Sequence, residues 1–141
     1  MGLFKPSVKS LLGRGDVAGL IGRLEGKEMA EAWIALKVLG ERAVPGLIGA
    51  LGGPMSSPAS AVLADIGTPA LPALVETIRS GPEDRVMAAG VAIQEMKNKG
   101  ARLPQGLAAM LAAVENGDGV ETSRRVAAMA ALGGIQSPRG A

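Results

Sequence analysis

A chain of 141 residues, 48% of them hydrophobic, carries enough apolar material for one domain with a continuous core and is short for two. It contains no cysteine, which excludes disulfides, thiol nucleophiles and thiolate metal sites, and no histidine, which removes the commonest general base and metal ligand. Its 15 basic and 13 acidic residues leave a net charge of +2, without the dense basic surface that nucleic acid or a membrane requires.

The opening Met1-Gly-Leu-Phe-Lys-Pro-Ser7 has no apolar run long enough for a signal peptide or a membrane span, and Pro6 stands where a myristoylation signal needs Ser or Thr. A cytoplasmic protein with no membrane partner is expected. Hydrophobic periodicity predicts helices over 6–12, 15–25, 27–39, 43–51, 55–66, 69–79, 82–97, 103–115 and 119–133. Between the first two, Gly13-Arg-Gly15-Asp-Val-Ala18 fits a loose dinucleotide fingerprint. That fingerprint follows a strand, whereas Val8–Leu12 reads as helix, so the segment is a helix stop with Asp16 capping the next helix.

Glu28 and Glu31 open the third helix, and Glu83 and Asp84 open the seventh. Acid in a first turn complements the helix dipole, which accounts for both pairs without acid–base chemistry. Trp33 is spaced from Met29 and Leu36 so as to fall near the core side of its helix, and Met29, Met55, Met87, Met96, Met110 and Met129 read as core or seam fillers. Lys97, Lys99 and Arg102 form the densest basic cluster and read as a solvated connector. Asn116-Gly-Asp-Gly119 lacks the alternating oxygen ligands of a calcium loop and reads as a turn, with Asp118 or Thr122 capping the last helix.

Two ladders run through these helices. Leu20/Leu24, Leu47/Leu51, Leu74/Ile78 and Leu107/Leu111 recur at spacings of 27, 27 and 33 residues. Between them lie Leu36/Leu39, Leu63/Ile66, Ile93/Met96 and Leu132/Ile135, each first member preceded four residues earlier by alanine: Ala32, Ala59, Ala89 and Ala128. Separations of three and four residues put these side chains on one helical face, where the alanines let a neighbouring helix come close. Leu39-Gly40 and Ile66-Gly67 end first helices, and Pro45 and Pro72 five residues on suit first turns. The predicted fold is all-α, a short right-handed α-solenoid of about four to five antiparallel hairpins, with an irregular orthogonal bundle as the runner-up. Its units fall near 6–26, 27–53, 54–81, 82–117 and 118–141, the last incomplete.

Ala32-Trp-Ile-Ala-Leu-Lys-Val-Leu-Gly40, Glu41-Arg-Ala-Val-Pro-Gly-Leu47 and Val62-Leu-Ala-Asp-Ile-Gly67 resemble the HEAT-like repeats of the phycobilisome-lyase type. Ala128-Met-Ala-Ala-Leu-Gly-Gly-Ile135 with Ser137-Pro-Arg139 continues the likeness, and the opening resembles the N-terminal cap of small stand-alone members. Residues 83–103 depart from the pattern, with Glu95-Met-Lys-Asn-Lys-Gly100 replacing the short connector. The fifth unit lacks its second helix; either Glu121, Arg124 and Arg125 form a polar cap there, or the edge pairs with a second copy as a homodimer.

The resemblance implies a concave face lined by second helices, with outward positions at Gly19, Gly22, Arg23, Gly46, Gly49, Ala50, Ala73, Glu76, Thr77, Gly106, Ala109 and Met110. Glycine inside a helix costs about 0.5–1 kcal/mol relative to alanine, so its recurrence here points either to a smooth groove for a partner's backbone or to a Gly/Ala-rich composition. The expected function is a non-catalytic protein–protein interaction module without a cofactor. Its candidate partner-binding residues are Gly22, Arg23, Ile48, Gly49, Glu76, Arg79 and Ala109. The family name implies an alternative, a lyase or chaperone for a bilin, but the helix over 43–51 offers no charge for its propionates. A glycosylase-like role on nucleic acid would need aromatic stacking and a basic cleft, which one Trp and a near-neutral balance do not supply.

Overall fold

The computed structural model describes residues 6–133, and every regular element among them is helical. Nine α-helices run in order: α1 (Val8–Arg14), α2 (Val17–Gly22), α3 (Met29–Leu39), α4 (Val44–Ala50), α5 (Ser56–Ile66), α6 (Leu71–Ser80), α7 (Glu83–Asn98), α8 (Gln105–Asn116) and α9 (Thr122–Leu132). Each matches one predicted helix, and the second ends in a 3₁₀ turn, Arg23–Glu25. The last helix starts at Thr122, three residues later than expected, and no side chain caps it, so neither Asp118 nor Thr122 does so. Phe4, Ile135 and the connector over 136–139 lie outside the described residues.

The first helices contact one another in series, α1 with α3, then α5, α7 and α9, and the second helices α2, α4, α6 and α8 do likewise. The ladders meet between these two sets. Leu20, Leu47, Leu74 and Ile78 come from one side, and Leu36, Leu63 and Ile93 from the other, all fully buried. Ala32, Ala59, Ala89 and Ala128 have no exposed surface, as their role in close helix approach requires. Backbones come close where α7 meets α9: a Cβ on Gly90 would lie 2.7 Å from the carbonyl oxygen of Ala127. Among the described residues no single helix is long and apolar enough to cross a membrane.

The 27-residue spacing is also a spacing of backbone geometry. Gly40 ends α3 at φ 56°, ψ −122°, and Gly67 ends α5 at φ 84°, ψ −139°, conformations that suit glycine alone. Their N–H groups donate to the carbonyls of Leu36 and Leu63 respectively. A 3₁₀ turn follows each, Gly40–Ala43 or Thr68–Ala70, and then a helix with Pro45 or Pro72 in its first turn. After α7 this device is lost, and the chain crosses a longer connector to Pro104 before α8 begins.

Candidate functional site

The candidate residues all lie on the second-helix side, in surroundings that differ. Gly22 is exposed at the end of α2, and Gly49 and Ala109 are exposed on α4 and α8. Ile48 is half-buried against the core. Glu76 and Arg79 are exposed on α6 and paired with each other at 2.6 Å. Together with Ser80, Met110, Ala113, Val114 and Val120 they line a groove of about 410 Å³. The Ser80 hydroxyl and then Arg79 hydrogen-bond the Glu76 carboxylate and hold its pKa below the ordinary carboxylate value.

Arg23 is otherwise engaged. Its side chain is 17% exposed, and its guanidinium donates to Glu28 Oε1 at 2.9 Å and to the Pro6 carbonyl at 2.6 Å, tying the end of α2 to the segment before α1. Thr77 departs from its expected outward position: it is buried, and its hydroxyl donates to the Ala73 carbonyl at 2.8 Å. Contacts of α6 with α7, α8 and α9 cover more of its circumference than a single apolar stripe requires.

The glycines of the strip divide into two groups. A Cβ on Gly46 would meet Val17 Cγ1 at 2.6 Å, and one on Gly19 would meet Leu11 Cδ2 at 2.9 Å, so packing accounts for both. A Cβ on Gly22, Gly49 or Gly106 would meet nothing within 4 Å. At these three positions no contact among the described residues requires glycine.

Several polar contacts bridge the helices. Asp65 on α5 accepts the indole N–H of Trp33 at 2.8 Å and faces the ammonium groups of Lys37 at 3.3 Å and Lys99 at 3.7 Å. The Trp33 hydrogen bond, aided by Lys37 and Lys99, lowers the Asp65 pKa against the opposing effect of burial. Trp33 is thus half-buried at the α3–α5 seam and also a hydrogen-bond donor. The basic cluster of the long connector is dispersed: Lys97 donates to the Ala131 carbonyl at 3.0 Å, Lys99 faces Asp65, and Arg102 is exposed. Arg124 on α9 turns inward and donates to the carbonyls of Ile78 at 3.1 Å and Gly81 at 2.7 Å. Arg125 donates to the Gly117 carbonyl, so neither arginine forms an outer polar cap, and Val126, Met129 and Leu132 are each half-buried.

Sequence reasoning missed the exposed apolar residues of the first-helix side. Ile34 and Val38 on α3 are 62% and 66% exposed, and Met29, Met87 and Val91 are exposed as well. Met29 and Met87 are therefore not core fillers. The available signal was their position: Ile34/Val38 and Met87/Val91 are i, i+4 pairs lying off the buried ladder. Among the described residues no three acidic side chains gather where a metal ion would be held. The chain matches no family model, no curated protein and no solved structure.

Proposed function

We propose that the chain is a short right-handed α-solenoid of four to five HEAT-like hairpins, acting in the cytoplasm as a non-catalytic protein-binding module. The partner is another protein that lies along the second helices. The observation that carries this reading is the set Gly22, Gly49 and Gly106, which sits on exposed helical surface with open space around each absent Cβ. Among the described residues no packing contact accounts for glycine at these helical positions, and a partner backbone seated against them would do so. The like-with-like contacts of first and second helices, and the matched ends at Gly40 and Gly67, support the solenoid part of the reading. Nothing favours a bilin: Arg23 and Arg79, the arginines of this face, are each paired with a glutamate.

Affinity capture from native lysate with mass-spectrometric identification tests the proposal. Gly49→Arg and Ala109→Arg project a long cation from exposed positions and are expected to abolish capture of the specific partner while far-UV circular dichroism stays unchanged. The same partner recovered equally by both variants sinks the second-helix surface.

A further inference from the structure

The first-helix side has a docking feature of its own. Between α5 and α7 runs an open trough of about 340 Å³ lined by Ser56, Ser57, Ser60, Ala88, Val91 and Glu95. Exposed apolar pairs stand on the helices to either side, Ile34/Val38 on α3 and Met87/Val91 on α7, whereas α5 presents the smaller Ser56, Ser57 and Ala61 between them. A partner laid along α5 would meet small side chains beneath it and apolar side chains at its flanks.

The charge inside the trough narrows the choice of occupant. Glu95 is half-buried, its carboxylate accepts only a long 3.4 Å contact from the Ser60 hydroxyl, and it forms no ion pair among the described residues. On the α3 side of the same surface Asp65 already has its cations, Lys37 and Lys99. The one carboxylate in the trough therefore lacks a counter-ion and has hydroxyl donors and apolar surface beside it. We propose that the α5–α7 trough docks an amphipathic helix of a partner protein, which sets a lysine or arginine against Glu95 and apolar residues on Met87 and Val91. This surface is on the opposite layer from the second-helix face, and the two can fail independently.

The probe is a blocked amphipathic peptide of about 14 residues built from leucine and lysine, with a leucine/glutamate counterpart as control. Amide shifts of the intact chain are followed by NMR as each peptide is added. The leucine/lysine peptide is expected to shift residues 56–60 and 87–95, and the leucine/glutamate peptide to leave them in place. Glu95→Gln, nearly isosteric, should weaken binding about fivefold. Val91→Arg, which fills the trough and gives Glu95 a cation within the chain, should abolish binding with the fold intact, and Gly49→Arg should leave it unchanged. No binding up to about 1 mM, shifts confined to other surfaces, or equal affinity for Glu95→Gln would each overturn the proposal.

Discussion

The segment from α3 to α6 and the segment from α7 to α9 solve the same problem, how to end one helix and seat the next, in different ways. In the first, the solution is local: Gly40 and Gly67 each turn their N–H back to a carbonyl four residues earlier. In the second, the repeat spacing lengthens and the ties become long-range. Arg124 reaches the end of α6 from 43 or more residues away, Lys97 reaches Ala131, and Ser123 hydrogen-bonds Glu83. The last carbonyls of a helix need donors: at α7, where the regular connector is missing, the backbone N–H groups of Lys99, Gly100 and Ala101 supply them, while the ends of α6 and α9 take donors from Arg124 and Lys97 on neighbouring helices. A repeat can thus lose its regular connector and keep its stacking, with cations reaching across helices to tie the ends of its neighbours.

The C-terminal segment is most vulnerable at Gly90, where α7 and α9 meet. Gly90→Val sets a side chain against the Ala127 backbone and is expected to cost about 3 kcal/mol or more in urea denaturation, since backbone cannot yield as a side-chain tip can. Next is Arg124→Met, which keeps the apolar stem but removes the donors to the Ile78 and Gly81 carbonyls. The expected loss is about 2 kcal/mol, with Arg124→Lys recovering only part because an ammonium cannot fork across several acceptors. Hydrogen-exchange protection should fall first at the end of α6.

A smaller effect falls at the seam between the two segments, where Asp65 on α5 faces Lys99 at the end of α7. The Asp65 pKa is lower in the folded chain than in the unfolded one, so its stabilisation is full above the unfolded value and is lost as pH falls through the folded value. The stability difference between wild type and Asp65→Asn should accordingly be present at about pH 6 and shrink below about pH 4. A difference that stays constant over that range would show that the carboxylate's charge contributes nothing. Smallest is a pair on α4: Gly49→Ala should raise stability by about 0.5–1 kcal/mol, and Gly46→Ala should lower it because of Val17. Equal effects at the two positions would remove the distinction between open and packed glycines on which the proposed function rests.

The helices and most of their buried faces were legible in the sequence because separations of three and four residues set direction around a helix axis whatever the neighbours are. Leu47, Leu74 and Ala59 illustrate this, each fully buried as their ladders require. The width of a buried arc depends on how many helices lie alongside, which is why Thr77 was placed outward and is buried. Contacts between residues far apart in sequence were out of reach for the same reason. Trp33–Asp65 and Arg124–Gly81 join side chains brought together by stacking, and no local spacing marks either pair. Of the candidate surface, the open glycines at 22 and 49 could be read from the sequence, but the engagement of Arg23 with Pro6 and Glu28 could not.

The contact between Trp33 and Asp65 also makes the molecule its own gauge. Trp33 is the only tryptophan and there is no tyrosine, so the ultraviolet emission of this chain comes essentially from one ring at one seam. Its colour and quenching follow whether α3 and α5 remain joined, and they are nearly blind to events at α9. Circular dichroism follows all nine helices. A denaturation curve recorded by both signals therefore measures directly whether the regular repeats and the C-terminal helices unfold as one cooperative unit or come apart in turn.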